Sequence, residues 1–310
     1  MTVVAVAGGT GGVGKTIVER LAQESKFRVI VLSRNVPERK SGSQIVQHVQ
    51  IDYNDFASMT KELERHNVHT VISAVGLLSD EASQSQINLI DAAEKSSVTE
   101  RFIPSEFSFI QTKDLLPVDP SIQWWLDAAD RLKSSSLKYT RVIPGFFMDY
   151  WGMPNIQTNL QPYSFGIDIG SGMAAIPGDG TDVICMIYTY DMATYLVKVL
   201  DLDEWPEFSV IVGDQVTYNE LLALAEEITG KKFQVSYDSL DQIQAGNVTV
   251  PPMPKGAEYP VEELKETTAL VSRLTVNGVF DLPKENRINA RFPDVRPITM
   301  KEFLEKAWRG

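Results

Sequence analysis

Residues 3–16 read Val-Val-Ala-Val-Ala-Gly-Gly-Thr-Gly-Gly-Val-Gly-Lys-Thr. Val3–Ala7 is an apolar run of strand length, and Val13, Ile17, Leu21 and Ala22 then recur at helical spacing. Between them Gly8, Gly11 and Gly14 are spaced Gly-x-x-Gly-x-x-Gly. Such a loop lets the backbone turn tightly and approach a phosphate, while the following helix offers free N–H groups and the positive end of its dipole. The stretch therefore predicts the first strand, glycine turn and helix of a dinucleotide-binding fold, with Gly8, Thr10, Gly11, Gly12, Val13 and Gly14 around the phosphates. A second reading is embedded in it. Gly9-x-x-x-x-Gly14-Lys15-Thr16 matches the phosphate loop of nucleoside triphosphatases, in which Lys15 reaches the outer phosphates and Thr16 holds magnesium. That reading needs an apolar strand ending in Asp. Asp52 ends a strand, but one interrupted by Gln47, His48 and Gln50.

Working outward, strand-like runs at Arg28–Leu32, Ile45–Ile51, Thr70–Val75, Arg101–Pro104 and Tyr139–Ile143 alternate with helical patterns. Asp55 caps a short helix carrying Phe56, Met59 and Leu63, and another helix lies around Ile122–Ser134. The alternation predicts an α/β protein with a Rossmann-type, doubly wound parallel sheet. After Gly145 the texture changes to aromatics, Gly and Pro over residues 146–180. Val183–Leu200 reads as strand then helix, and capping boxes at Thr217–Glu220 and Thr299–Glu302 open two more helices. The expected division is a nucleotide-binding domain over 1–145 and 181–204, with a smaller α+β substrate lobe over 146–180 and 205–310.

The second strand distinguishes between cofactors. An NAD site carries Asp or Glu about 20 residues beyond the glycines, to bind the ribose diol. Here the position holds Ser33-Arg34-Asn35, and Arg34 can stack on adenine and bind a 2′-phosphate. This favours NADP(H), with Lys40 as a helper; the plain alternative is that Arg34 is only a surface residue. Asp52 and Tyr53 are expected at the adenine end, and Ala74, Val75 and Gly76 along the pyrophosphate and ribose.

Composition bounds the rest. The 310 residues, 43% hydrophobic and 23% charged, suit a globular protein. A net charge of −12 without a Lys/Arg run argues against nucleic acid as partner. No apolar run approaches the roughly 20 residues a membrane span needs. The first residues read as a strand and not a signal peptide, and the single Cys185 fits a reducing, cytoplasmic compartment. His66 and His69 sit three apart but no Cys or carboxylate cluster joins them, so no metal is expected. The oligomeric state is open.

The glycine loop, Val31-Leu-Ser-Arg34, Val71-Ile-Ser-Ala-Val-Gly76 and Arg101-Phe-Ile-Pro-Ser-Glu-Phe107 together resemble the NmrA-like and isoflavone-reductase-like proteins, atypical short-chain dehydrogenase/reductases. Lys138-Tyr139-Thr140, Ile176–Gly180 and Tyr218–Leu221 extend the resemblance over nearly the whole chain, most of all to fungal members, many of which serve secondary metabolism. It implies NADP(H), with the nicotinamide near Pro104, Ser105, Glu106 and Phe107 and near Pro144 and Phe146. Reductases of this family carry a Lys on the helix before the Tyr-Thr strand. Counting back from Lys138 that position is Trp125, and Gln123–Asp130 contains no Lys; nor does any Tyr have a Lys four residues later. The usual proton donor is absent, and the catalytic residue is left unassigned. Trp125 reads either as core or as the wall of a pocket for an aromatic ligand, with Phe107, Phe146, Phe147, Met148 and Trp151 lining the same pocket or sealing two lobes. Asp127 and Asp130 read as solvated, with an acid role as the alternative. Two functions are open at this point. One is an NADPH-dependent tailoring enzyme reducing an imine, iminium or conjugated double bond of a hydrophobic, alkaloid-like substrate, with a coupled cyclisation or rearrangement. The other is an NADP(H)-sensing regulator without turnover.

Overall fold

The computed structural model describes residues 1–35 and 46–309. In chain order its strands and helices are β1 (Thr2–Ala7), α1 (Gly12–Leu21), β2 (Phe27–Ser33), β3 (Val46–Gln50), α2 (Phe56–Arg65), β4 (Thr70–Ser73), α3 (Asp80–Lys95), β5 (Arg101–Ile103), α4 (Gln123–Lys133), β6 (Lys138–Tyr139), β7 (Arg141–Ile143), β8 (Phe146–Phe147), α5 (Asp149–Gly152), β9 (Ile167–Asp168), β10 (Met173–Pro177), β11 (Val183–Ile187), α6 (Thr189–Leu200), β12 (Phe208–Val210), β13 (Asp214–Thr217), α7 (Tyr218–Thr229), β14 (Gln234–Asp238), α8 (Leu240–Gln244), α9 (Val261–Val276) and α10 (Met300–Trp308).

The chain divides into two compact units. Unit 1 comprises Met1–Phe107, Gln111–Ile143 and Ala193–Ser209; unit 2 comprises Ser108–Ile110, Pro144–Met192 and Val210–Gly310. Unit 1 is built on a six-stranded sheet of order β3-β2-β1-β4-β5-β6, parallel at every pairing. This is the doubly wound Rossmann arrangement expected from the alternation of strands and helices, and its order reverses between β1 and β4. The strands are apolar because helices cover both faces: every residue of β1 after Thr2 is buried. Val3, Ala5, Ile30, Leu32, Val71 and Phe102 of the sheet pack with Met59, Leu63, Leu89, Ile90, Ala128 and Leu132 of the helices in one core. Asp55 caps α2 by accepting from Ser58 N–H, as its position implied.

The sixth strand departs from expectation. In place of one run over Tyr139–Ile143 there are two short strands, β6 against β5 and β7 against β12. The chain changes partner at Thr140, whose hydroxyl meets that of Ser209 at 2.8 Å, and Arg141 N–H donates to the Glu207 carbonyl.

Unit 2 holds two three-stranded sheets. In one, β10 pairs parallel with β14 and antiparallel with β9; in the other, β11 pairs parallel with β8 and antiparallel with β13. Both expected capping boxes are formed, at the starts of α7 and α10, and α7 ends on Gly230 in the left-handed region. The 16-residue helix α9 is an addition to the elements read from the sequence.

Candidate functional site

The turn after β1 is tightly constrained by its own backbone. Gly8 has φ +73°, and a Cβ there would lie 2.3 Å from the Ala74 carbonyl oxygen at the end of β4. A Cβ on Gly14 would lie 2.3 Å from the Gly8 carbonyl oxygen. Both glycines are therefore demanded by the protein itself. Gly11 is not: its φ of −138° is extended, and a Cβ there would meet nothing within 4 Å. Gly11 is the N-cap of α1, no side chain caps that helix, and its first turn contains no acid. The first turn of α1, Gly12 to Gly14, thus starts without a side-chain cap, and the space at a Gly11 Cβ is open among the described residues. An anion fits this cradle. Thr10 is exposed at its rim.

The nucleotide triphosphatase reading of the same residues does not fit. Thr16 is fully buried and its hydroxyl donates back to the Gly12 carbonyl at 3.4 Å, so it is withheld from a metal ion. Lys15 lies 4.0 Å from Glu19 on the exposed face of α1.

Arg34 is exposed immediately after β2, and its carbonyl accepts from the Gln50 side chain, which ties this turn to the end of β3. Tyr53 is buried beyond β3; burial pushes its phenol up to about 12, with the nearby Arg34 charge pulling it down. The Arg34 charge is therefore felt at Tyr53, the residue expected at the adenine end. Asp52 accepts from Asn54 N–H, and Lys40 lies outside the described residues.

Along the crevice, Ala74 N–H donates to the Ala7 carbonyl, and half-buried Val75 and exposed Gly76 follow. Ser105 ties the next strand end to this segment. Its hydroxyl donates to the Val75 carbonyl at 2.8 Å, and its N–H donates to the Gln86 side chain at 2.8 Å. Buried Pro104 precedes it. Glu106 follows, 6% exposed, with both carboxylate oxygens 2.6 Å from the Arg141 guanidinium. Burial pushes the Glu106 carboxyl up, while Arg141 and the Gln111 N–H pull it down. The side chain of Glu106 is thereby committed to Arg141, and only its backbone is left to face a ligand. Phe107 then takes φ +30°, a conformation rare for a bulky residue, at the end of this anchored segment. Gln86 and Arg141 are supporting residues that sequence reasoning missed. Gln86 had a signal: a polar residue on the face of α3 that buries Leu89 and Ile90 needs a partner there.

On α4 the buried residues are Leu126, Ala128 and Leu132; Trp125 is half-buried, 6.3 Å ring to ring from Trp124. The core reading of Trp125 is thus not what the packing shows. Asp127 and Asp130 are exposed, and Asp127 accepts from Gln123.

In unit 2, Phe146 sits among Tyr150, Trp151, Phe165 and Phe280, at ring centroid distances of 5.0–6.0 Å. Phe147 and Pro144 are buried beside it. Met148 and Trp151 are packed out of reach: their exposures are 0% and 1%, and the Trp151 indole N–H donates to the Phe165 carbonyl. The expectation that these two side chains line a pocket gives way to one in which they hold the unit together. His66 and His69 have different partners, Glu62 for the first and Thr70 with Glu100 for the second. Among the described residues no group of three or more His, Cys, Asp or Glu is placed to hold a metal ion, and no helix is long and apolar enough to cross a membrane.

Comparison with known proteins agrees with this geometry. The chain is 31% identical to oxidoreductase swnN of Metarhizium robertsii, over 99% of this chain and 98% of that protein. It is 37% identical to oxidoreductase BOA1 of Botryotinia fuckeliana, over 75% of this chain and 78% of that one. Among solved structures, the binary complex of leucoanthocyanidin reductase with NADPH from Vitis vinifera shares the fold, with a TM-score of 0.76 at 18% identity over 99% of this chain and 100% of that one. The model of the NmrA-like family matches residues 1–304, and the chain belongs to that family, among relatives named as oxidoreductases.

Proposed function

We propose that this chain binds NADP(H) on unit 1 and is a reductase of fungal secondary metabolism, acting on an imine, iminium or conjugated double bond of a hydrophobic, alkaloid-like substrate. The observation that carries the cofactor assignment is Gly11, the one glycine of the spaced trio that no atom of the described residues crowds, set beside an uncapped helix N-terminus. Backbone N–H groups of Gly12–Gly14 hold the pyrophosphate, and Arg34 supplies the charge for the 2′-phosphate. Ala74–Gly76 and Pro104–Phe107 line the remainder within unit 1. Two fungal relatives named as oxidoreductases support the reaction class, and the reductase whose NADPH complex shares the fold supports the cofactor.

The cofactor, when bound, supplies a hydride. An iminium carbon that accepts it passes its π pair to nitrogen, so no proton has to be delivered. The lack of any Lys in Gln123–Asp130 is compatible with that chemistry. Within unit 1 the ligand-facing aromatic surface is assigned to Phe107 and half-buried Trp125. Their task is to orient the substrate and exclude water, and orientation of that kind also serves a coupled cyclisation.

The test is a fluorescence titration. NADPH is expected to bind at least about tenfold more tightly than NADH, a difference of ~1.4 kcal/mol, and Arg34→Ala should close most of the gap. Equal affinity of the intact protein for both cofactors would refute the assignment. The missing Lys favours one rival, a cofactor-sensing regulator. Steady NADPH consumption with a cyclic iminium substrate excludes that rival, and its failure across a substrate panel supports it.

A further inference from the structure

Strand β14, Gln234-Val-Ser-Tyr-Asp238, forms the outer edge of its sheet, with β10 on its inner side. Gln234 through Tyr237 are all exposed. Beyond the ladder with β10, flanking bonds run from Gln234 N–H to the Gly172 carbonyl and from Gly178 N–H to the Asp238 carbonyl, so Gln234 and Asp238 face the sheet. Backbone groups alternate sides along a strand, so the N–H and C=O groups of Val235 and Tyr237 point to the open edge. Among the described residues nothing blunts that edge. The strand contains no Pro, no Lys and no bulge, the devices that ordinarily keep exposed edges from pairing.

The side chains carry the same signature. Val235 and Tyr237 are in register with Ala174 and Ile176 of β10, which are 5% and 0% exposed. The face they share is covered over β10, and opens to water only at the rim, where Val235 is 39% and Tyr237 50% exposed. Leu240, just past the strand, is 55% exposed. One more strand on this edge would continue the covered face and pair the four outward backbone groups.

We propose that this strand is an interface with a second copy of the same chain, in which two β14 strands pair antiparallel about a two-fold axis through Ser236. In that register Val235 of one copy lies opposite Tyr237 of the other, and each such pair exchanges two N–H···O=C bonds through the groups that face outward. Ser236 meets its own symmetry mate at the intervening non-bonded position. The flanking charges suit the antiparallel sense: exposed Lys231 precedes the strand and exposed Asp241 follows it, so antiparallel pairing brings ends of opposite charge towards each other, whereas a parallel pairing brings like charges together. The proposal is independent of the cofactor and substrate assignments.

Sedimentation equilibrium of the full chain tests the association, and cysteine cross-linking tests the register. The intact protein is expected to show a concentration-dependent shift from 34.6 kDa towards twice that mass. Val235→Pro should hold it near 34.6 kDa without unfolding it, because the N–H it removes is not used within its own sheet. Tyr237→Lys, which keeps the backbone unchanged, should do the same, and circular dichroism checks the fold of both. Ser236→Cys should cross-link into a covalent dimer under mild oxidation, because the expected Cα separation of about 4.5 Å suits a disulfide. Gln234→Cys should not, since it faces Asp238, and native Cys185 is buried and does not interfere. A monomer at every concentration overturns the proposal, as does a dimer that neither edge variant weakens. Cross-linking of the Gln234→Cys protein as fast as that of the Ser236→Cys protein overturns the register.

Discussion

Gly8, Gly11 and Gly14 look equivalent as letters, and the structure separates them. Backbone carbonyls crowd Gly8 and Gly14 to 2.3 Å, and backbone cannot move aside as a flexible side chain can. Gly14→Ala is therefore expected to lose roughly 1–3 kcal/mol of stability, measurable by urea denaturation, whether or not cofactor is present. Gly11→Ala should behave oppositely. Its backbone suits any residue, so the loss should stay below about 1 kcal/mol, the scale of a poorer helix cap. Its methyl group would stand where the phosphates are assigned, so NADPH should bind at least about tenfold more weakly. A Gly11→Ala protein that binds NADPH as tightly as the parent would refute the phosphate placement. Spacing made this loop legible in the sequence, whereas the duty of Gly8 depends on Ala74, about 60 residues away, and that of Gly14 on the carbonyl Gly8 then presents. The same holds for Glu106: its place in the motif was legible, and its capture by Arg141 was not.

At the scale of elements, local chemistry was readable wherever it was self-contained. The boxes at Thr217–Glu220 and Thr299–Glu302 each satisfy their own helix start, and a third of the same form, Ser239–Gln242, opens α8 and went unread. Helix α9 was hidden because its buried stripe, Thr268, Ala269, Ser272, Leu274 and Thr275, is mostly polar or small, which leaves little apolar period to detect. The break between β6 and β7 was hidden because it is a change of partner strand. Helix α6 is a further case, since its start is served from another element. The buried Asp149 carboxylate accepts from Thr189 N–H at 3.0 Å, from the Thr189 hydroxyl at 2.6 Å and from the Thr158 hydroxyl at 2.7 Å. Burial pushes this carboxyl up, and the three bonds pull it back down. Asp149→Ala would strand a buried helix-start N–H together with two hydroxyls. It is expected to cost about 2–4 kcal/mol in denaturant melts. Asp149→Asn keeps one oxygen acceptor and should cost clearly less. Equal losses from the two substitutions would show that volume, and not hydrogen bonding, holds this junction.

For the whole molecule, the order β3-β2-β1-β4-β5-β6 was implied once strands and helices were seen to alternate, because crossovers of one hand leave few alternatives. The small sheets of unit 2 follow no such rule; β10 pairs with β14 across some 60 residues of chain that give no local sign of it. The consequence for ligand binding is that the glycine loop, Arg34, Ala74–Gly76 and Pro104–Phe107 belong to unit 1, while Pro144 and Phe146 belong to unit 2, so NADPH should stabilise the chain mainly through unit 1. At a concentration of about 100 times its dissociation constant, mass action contributes ~2.7 kcal/mol. At a few degrees per kcal/mol this raises the melting temperature by about 5–10 °C. NADH at the same concentration should give a smaller rise, and ATP with magnesium essentially none, since Thr16 is buried and bonded back to Gly12. Hydrogen exchange locates the effect: protection on adding NADPH should concentrate at Gly11–Gly14, Val75–Gly76 and Ser105, and lessen in Arg34→Ala at equal concentration. A rise in melting temperature whose protection fell instead on the β10 and β14 sheet of unit 2 would place the nucleotide elsewhere and overturn the assignment of unit 1.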